Sequence, residues 1–207
     1  MKYKLIIFDF DGTLADSVPW FTRNINKIAE KYKFRLIGKE ENEVIKDYNF
    51  IKMLKYLGVP FWKIPLIESQ LRKLMAEGIQ NISLFAGVDN LLQTLSNNGI
   101  TLAIVTSNSE KTVRQILGPQ NASLISYYEC GAAFSDKKNK LRKVLKRSGF
   151  LDSESIYIGD EVRDGEAARK ANIAFGGVLW GYSSKNALNE QLPKEIFFNI
   201  NEILKLI

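Results

Sequence analysis

Histidine is absent from the 207 residues, and its absence narrows the chemistry open to this chain. Without imidazole there is no histidine base for a nucleophile, no histidine general acid and no histidine metal ligand. The single cysteine, Cys130, cannot form an internal disulfide and suits a reducing compartment. Catalysis must therefore depend on carboxylates, hydroxyls, lysines or this lone thiol.

Long apolar segments are missing as well. The N-terminal run 5–8 is too short for the apolar part of a signal sequence, and acidic residues interrupt it. No later stretch approaches the roughly 20 apolar residues that a membrane-spanning helix needs. We therefore expect a cytoplasmic protein that has no membrane partner.

Acidic residues are fewer than basic ones, 23 against 29, and the net charge is +6. This charge could draw an anionic substrate into a cleft, or it could belong to a solvated surface, since the basic residues are spread along the chain. The most basic segment, 137–147, contains no aromatic residues that could stack on bases. We therefore expect no nucleic-acid partner.

Short apolar runs alternate with segments of helical spacing, a pattern typical of a parallel sheet with helices on both faces. We predict an α/β fold with a three-layer, Rossmann-like parallel sheet core. The predicted strands are Tyr3–Phe8, Ile100–Val105, Tyr128–Phe134, Ser155–Ile158 and Ala174–Trp180. A helix is predicted over Arg163–Ala171.

The segment 17–82 breaks this alternation because it contains no strand-like run. Its apolar residues recur at helical spacing, as in Phe21, Ile25 and Ile28. Ser17 before Pro19 is a plausible helix start. We predict a catalytic core made of residues 1–16 and 83–207, with residues 17–82 inserted as an all-helical cap.

Acidic residues follow the first predicted strand in the order Asp9-Phe10-Asp11-Gly12. Gly12 permits a sharp change of direction, so both carboxylates can point into one site. One of them could attack phosphorus while the other moves a proton. An acidic turn is the alternative, but acids placed after a buried run are costly without a partner.

Hydroxyl and amide side chains follow the second strand as Thr106-Ser107-Asn108-Ser109. A helix N-terminus with such side chains can bind an anion through free N–H groups and hydroxyls. Ordinary helix capping must account for one of these residues. For Thr106, at the end of the strand, we favour phosphate binding.

A third set of acids lies in Gly159-Asp160-Glu161-Val162-Arg163-Asp164, again after an apolar run. Asp160 and Asp164 can face the same point if a turn leads into a helix there. Oxygen ligands of this kind suit Mg²⁺. The alternative is a helix N-terminus enriched in acids by the helix dipole, which explains Glu161 better than Asp160.

Taken together, these segments resemble the haloacid dehalogenase superfamily of phosphatases over nearly the whole chain. DFDGTLADS at 9–17 is similar to its first motif, TSN at 106–108 to its second, and GDEVRD at 159–164 to its fourth. The third motif is a lysine after Phe134. The segments VLWGYSS at 178–184 and PKEIFFNINEIL at 193–204 resemble the phosphoglycolate phosphatase-like branch.

The resemblance implies a role for each motif residue. Asp9 is expected to be the nucleophile that forms an aspartyl-phosphate, and Asp11 the acid–base residue. The implied phosphate-binding residues are Thr106, Ser107, Asn108 and Lys137, and the implied Mg²⁺ ligands are Asp9, Asp11, Asp160 and Asp164.

Lys137 is our choice for the motif lysine, although Lys138 and Lys140 remain open. Asp136 precedes Lys137 and no proline follows it, whereas the family often has Gly-Lys-Pro at this motif.

The expected function is Mg²⁺-dependent hydrolysis of a small phosphorylated metabolite such as phosphoglycolate, with the cap closing over the site. A phosphotransferase or mutase with the same Asp9 chemistry is an alternative. A phosphoacceptor signalling domain is another, but such domains lack a long helical insert and have no use for a base at Asp11. A non-catalytic binding protein would not need all of these acids.

Overall fold

The computed structural model describes residues 3–41, 45–48, 50–131 and 136–207. Within these residues, six strands form a single sheet, and every neighbouring pair is parallel. The strands are β1 (Leu5–Phe8), β2 (Thr101–Val105), β3 (Ile125–Glu129), β4 (Ser155–Gly159), β5 (Ala174–Val178) and β6 (Glu195–Phe197). Their order across the sheet is β3-β2-β1-β4-β5-β6, so β1 lies at the centre.

Four of the five predicted strands lie where β1, β2, β4 and β5 are found. The bounds predicted for the third strand, Tyr128–Phe134, are wrong: β3 spans Ile125–Glu129, overlaps the prediction only at Tyr128 and Glu129, and begins directly where the preceding helix ends. Gly131, with φ +73°, then turns the chain away from the sheet, and residues 132–134 of that prediction lie outside the described residues. Strand β6 was not predicted, because three residues are too few to show a pattern.

The helices fill the connections between the strands. They are α1 (Val18–Tyr32), α2 (Phe50–Tyr56), α3 (Ile64–Glu77), α4 (Val88–Asn97), α5 (Glu110–Leu124), α6 (Lys137–Ser148), α7 (Val162–Ala171) and α8 (Lys185–Asn189). Helix α5 is interrupted at Gly118, whose φ of 73° is not helical. Short 3₁₀ turns occur at Lys39–Glu41, Phe61–Lys63, Ile79–Asn81, Asp152–Glu154 and Ile200–Leu206.

Both faces of the sheet are covered. In β1, Leu5 and Ile7 pack in a cluster with side chains of α6 and α7, whereas Ile6 and Phe8 pack in another with side chains of α4 and α5. These four residues have no exposed surface, and burying each such side chain stabilises the fold by about 1.5–3 kcal/mol. The predicted three-layer α/β architecture is confirmed.

The described part of 17–82 contains helices and 3₁₀ turns and no strand of the sheet. The chain enters and leaves it side by side, since the Asp16 N–H donates to Ser83 O at 2.8 Å and the Phe85 N–H donates to Leu14 O at 3.0 Å. The predicted boundaries fall at this antiparallel junction. The division into core and cap stays a prediction. Among the described residues, the helices lack the length and apolarity that crossing a membrane requires.

Candidate active site

The register of the sheet brings the ends of three strands together. Phe8, the last residue of β1, is paired with Ile104 on one side and Ile158 on the other. Asp9 follows at once, and its N–H donates to Ile158 O at 2.8 Å. The segments that begin at Asp9, Thr106 and Asp160 therefore emerge at the same edge of the sheet, where ligands of open parallel sheets bind.

Three carboxylates meet at this edge. One oxygen from each of Asp9, Asp160 and Asp164 lies within 4.8 Å of the other two. The three residues expose 2%, 1% and 0% of their surface, respectively. Three buried acids at this separation repel one another strongly unless cations share the site with them.

Lys137 supplies one such cation from the first turn of α6. Its Nζ lies 3.0 Å from Asp9 Oδ1 and also forms a short ion pair with Asp164 Oδ1. Asp164 in turn accepts hydrogen bonds from Tyr157 Oη at 3.0 Å and from the Glu161 N–H at 3.0 Å. Asp164 thus holds the lysine against Asp9 and is itself held by two donors.

Asp160 is fixed by donors from two loops. Thr13 Oγ1 donates to Asp160 Oδ1 at 3.0 Å, and the Tyr182 N–H donates to Oδ2 at 2.8 Å. Gly12 and Gly181 pack against this carboxylate so closely that a Cβ on either glycine would overlap it. The orientation of Asp160 is therefore set by the turn after β1 and the loop after β5.

Asp11 lies beside this cluster rather than within it. Asn108 Nδ2 donates to Asp11 Oδ2 at 2.7 Å. The other oxygen of Asp11, Oδ1, is buried and has no hydrogen-bond partner among the described residues. This oxygen is therefore available to a proton, a water molecule or a ligand.

In the segment that follows β2, the helix cap lies after the residues predicted to bind phosphate. Ser109 is the N-cap of α5, because its Oγ accepts from the Thr112 N–H at 3.1 Å. The buried residues Thr106, Ser107 and Asn108 precede it, and the Asn108 N–H donates to Thr106 Oγ1 at 3.1 Å. Capping thus occupies the residue outside the predicted phosphate-binding set.

Lys140 has different partners from Lys137. Its Nζ donates to the backbone carbonyls of Thr106, at 2.6 Å, and Gly131. It therefore supports the Thr106 segment from behind, whereas Lys137 faces the carboxylates. Lys138 is half-buried on the same turn of α6.

Burial raises the pKa of Asp9, Asp11 and Asp160. Desolvation raises the pKa of Asp9 to about 7, although Lys137 opposes it. Burial also raises the pKa of Asp11, and it raises that of Asp160 well above its usual range with help from Glu161 and Asp9. Burial alone would lower the pKa of Lys137, but Asp164 and Asp9 outweigh it and raise that pKa.

These properties fit a divalent cation. The carboxylates of Asp9, Asp160 and Asp164 are clustered and buried, and a cation would favour their ionised forms. All three ligands are hard oxygens, and no histidine or second cysteine exists to favour a softer metal. The chain can therefore hold a metal ion against Asp9.

A cavity of about 90 Å³ lies beside this cluster, and Asp160 is the member of the cluster that lines it. Its floor includes Asp11, Ser107, Asn108 and Asp160, and its far wall comes from α1 and α3 of the helical insert, with Tyr182 at the side. The cavity thus lies between the edge of the sheet and the segment that was predicted to be a cap.

The sequence predicted the main members of this site but missed the residues that orient them. Asp9, Asp160, Asp164 and Lys137 meet, while Asp11, Thr106, Ser107 and Asn108 surround them. Thr13, Tyr157 and Tyr182 were not predicted. A tyrosine inside a fully buried strand signals a hydroxyl that needs a partner, and that signal could have revealed Tyr157.

Comparison with known proteins agrees with this geometry. Residues 6–178 match the family model described as haloacid dehalogenase-like hydrolase. A phosphoglycolate phosphatase from Synechococcus elongatus is 27% identical over 203 residues, which cover 98% of this chain and 96% of that protein. A phosphoglycolate phosphatase from Vibrio parahaemolyticus is 26% identical over 223 residues and covers 99% of this chain and 96% of its own length.

Solved structures share the fold. The structure of a predicted phosphatase from Clostridium acetobutylicum superposes with a TM-score of 0.84 at 22% identity, covering 99% of this chain and 98% of that chain. At this identity the likeness concerns the fold alone. The same strand order and helical layers therefore occur in a protein of distant sequence.

Proposed function

This chain belongs to the haloacid dehalogenase-like hydrolase family, and from that membership and the site we propose that it is a Mg²⁺-dependent phosphomonoester hydrolase that acts through Asp9. The observation that carries the proposal is the contact of Asp9 with Lys137, inside a cluster of buried carboxylates, at the carboxyl end of the central strand. A nucleophile, a neutralising cation and a metal site are thereby brought together.

In the first step, a carboxylate oxygen of Asp9 attacks the phosphorus atom of the ester. The bond from phosphorus to the alcohol oxygen breaks, and the alcohol takes a proton from Asp11 as it leaves. The burial that raises the pKa of Asp11 supports this role, because an acid must carry its proton before it can donate it. The product is an aspartyl-phosphate on residue 9.

In the second step, water attacks the phosphorus atom and Asp11 takes its proton. The bond between phosphorus and Asp9 breaks, which releases inorganic phosphate and restores the free carboxylate. Two displacements with a covalent intermediate replace one that is more difficult. Asp11 thus serves once as acid and once as base.

The phosphoryl group would be held by Thr106, Ser107, Asn108 and Lys137. The Lys137 ammonium neutralises the charge that Asp9 and the phosphoryl oxygens bring together, and its ion pair with Asp164 keeps it in position. Hydroxyl and amide donors from the Thr106 segment orient the oxygens. Positioning and charge neutralisation of this kind supply most of the catalysis in phosphoryl transfer.

The residues proposed to hold Mg²⁺ are Asp9, Asp11 and Asp160, with Asp164 in support. When bound, the ion would neutralise phosphoryl charge and help to align the ester with Asp9. Thr13 and the Tyr182 N–H hold Asp160 ready for that role. Asp164, which already binds Lys137, would act on the ion at longer range, through water.

The proposed substrate is phosphoglycolate or another small phosphorylated metabolite. Support comes from the names of the relatives and from the small cavity that continues from the acids. Residues 17–82 are proposed to act as a cap that excludes bulk water during the first step. A cytoplasmic location and the absence of nucleic-acid or membrane partners remain our predictions.

The test is a screen of phosphomonoesters with and without Mg²⁺, in which the parent is compared with Asp9→Asn. We expect the parent to release inorganic phosphate only with Mg²⁺ and the variant to lose several orders of magnitude in rate. An isomerised ester in place of phosphate would indicate a mutase, and a long-lived phosphorylated protein would indicate a signalling domain. Equal rates in parent and variant would refute the role of Asp9.

A further inference from the structure

The wall of the cavity that faces the acids contains one unexpected side chain. The residues that line this wall from the helical insert are mostly apolar, namely Val18, Trp20, Phe21, Leu71 and Met75. Arg72 lies among them on α3. A guanidinium in an apolar wall needs an acceptor, because an unsatisfied buried N–H group carries a desolvation penalty.

The contacts of Arg72 leave part of its guanidinium without an acceptor. Its Nη1 is buried and makes no hydrogen bond to any described residue. Glu68 Oε2 lies 3.8 Å from Nη1, which allows ionic attraction but is too long for a hydrogen bond. The Arg72 side chain as a whole is 31% exposed and lines the cavity, where a ligand can contact it.

The other arginine of the cavity, Arg163, is held by an ion pair within the core. Arg163 Nη2 donates to Glu161 Oε1 in a short ion pair, and Glu161 also lines the cavity. Arg163 is therefore bound to the core, next to the metal-binding segment. Arg72 instead comes from the insert and faces the acids across the space that a substrate would fill.

We propose that Arg72 binds a second anionic group of the substrate, a carboxylate on the alcohol portion of the phosphate ester. The proposal rests on the proposed function, since the first anionic group is the phosphate held beside Asp9. The planar guanidinium offers paired N–H donors that match the two oxygens of a carboxylate. The apolar neighbours and the cavity of about 90 Å³ favour a short carbon chain between the two groups.

The test compares two substrates that differ in the second group. 2-Phosphoglycolate carries a carboxylate, and ethyl phosphate carries a methyl group in its place. The variants are Arg72→Gln and, as matched control, Lys73→Gln, because Lys73 is the next residue of α3 and its side chain is 71% exposed. Both kcat and KM are measured for each protein in saturating Mg²⁺.

We expect Arg72→Gln to lower kcat/KM for 2-phosphoglycolate by about 10- to 100-fold, mainly through KM, because a charge-assisted hydrogen bond is lost. For ethyl phosphate, the same variant should change kcat/KM by less than about threefold. Lys73→Gln should leave both values near those of the parent. Arg72→Lys, which keeps the charge but loses the planar fork, should lie between the parent and Arg72→Gln for 2-phosphoglycolate.

Equal losses for both substrates in Arg72→Gln would overturn the inference, because they would mean that Arg72 only supports the fold through Glu68. No loss for either substrate would overturn it as well. If Arg72→Gln does not fold, the ratio of kcat/KM for 2-phosphoglycolate to kcat/KM for ethyl phosphate in Arg72→Lys decides in the same way. Failure of the proposed function looks different, since the parent itself would then hydrolyse neither ester.

Discussion

At the scale of single residues, the site depends on how its negative charges are neutralised. Asp9 and Asp164 share one ammonium, Lys137, and all three residues are buried. Removing one member of a buried charge pair leaves the other without compensation, which commonly costs 3–5 kcal/mol. We therefore expect Lys137 to affect both the proposed catalysis and the local stability.

Replacement of Lys137 should therefore be far more damaging than replacement of its neighbour. We expect Lys137→Met to lower kcat by about 100- to 1,000-fold, as does the loss of a donor that stabilises charge in a transition state. Lys138→Met, on the same turn of α6, should stay within about twofold because the ion pairs with Asp9 and Asp164 are made by Lys137. Steady-state kinetics on variants with unchanged circular dichroism would measure this, and a larger loss in Lys138→Met would reassign the motif lysine.

The buried acids also predict how the stability of the metal-free protein depends on pH. Burial raises the pKa of Asp9 from 3.8 to about 7 and raises that of Asp160 in the same direction. Between about pH 4 and pH 7, the folded protein therefore holds protons that the unfolded chain has released. The free energy of unfolding should therefore fall as the pH rises through this window, because the folded protein binds these protons more tightly than the unfolded chain does.

Mg²⁺ should reverse part of this loss, since it binds the ionised carboxylates. We expect the melting temperature in EDTA to fall from pH 5 to pH 7.5, and the increase on adding Mg²⁺ to be larger at pH 7.5. Asp9→Asn should flatten the decline in EDTA. A Mg²⁺ effect of equal size at both pH values would contradict this account of the cluster.

At the scale of elements, the turn after β1 is the most constrained part of the site. Gly12 has φ +71°, a conformation that side chains with a Cβ rarely adopt, and it lies against the Asp160 carboxylate. The turn thus allows a residue beside Asp9 to contact a segment that lies almost 150 residues away along the chain. A larger residue there would displace Asp160.

Gly12→Ala should accordingly lower activity by about 100-fold or more, as displacements near 1 Å in an active site do. The matched control is Gly99→Ala, because Gly99 has φ +77° but open space where its Cβ would lie. That variant should lose about 1 kcal/mol of unfolding free energy and keep its activity. Kinetics and urea unfolding of both variants distinguish displacement of Asp160 from backbone strain. Equal activities of Gly12→Ala and Gly99→Ala would contradict the displacement.

A strand could be predicted from the sequence where its burial produces an uninterrupted run of apolar residues. Strands β1, β2, β4 and β5 are buried almost throughout, and buried runs of this kind appear directly in the sequence. Strand β3 exposes Ser126, so its pattern is interrupted and the prediction moved to the apolar residues after it. Strand β6 has three residues at the edge of the sheet, where little burial is required.

At the scale of the whole molecule, one loop connects the acids to the helical insert. In the loop after β5, the N–H groups of Tyr182 and Ser183 donate to Asp160. The Tyr182 hydroxyl donates to Met53 Sδ at 3.1 Å, and its ring packs edge-on against Phe21. The same loop thus touches a proposed metal ligand and two helices of the proposed cap.

Opening of the cap should be required for turnover, because the cavity is small and lies beneath the insert. Ser184 Oγ, in the predicted core, donates a hydrogen bond to Asp47 Oδ1, in the helical insert. We expect the double variant Asp47→Cys/Ser184→Cys to lose turnover when oxidised and to recover it when reduced. Each single variant is a control for Cys130, and full activity of the cross-linked protein would contradict a moving cap.

The sequence predicted the acids better than the walls around them. Asp9, Thr106 and Asp160 follow buried strands, so their positions come from strand pattern and parallel pairing. The cavity wall depends on how α1 and α3 cross above the sheet, and apolar spacing does not determine that crossing. In the sequence, Arg72 was indistinguishable from the other cations of the insert, although it lines the cavity.

The central claim is that phosphate passes through a covalent bond to residue 9. The most direct measurement is a rapid acid quench during turnover, followed by borohydride reduction of acyl-phosphate to the alcohol and peptide mapping. We predict a reduced side chain at Asp9 in the parent and none in Asp9→Asn. An active enzyme that carries the label on another residue, or on none, would contradict the account.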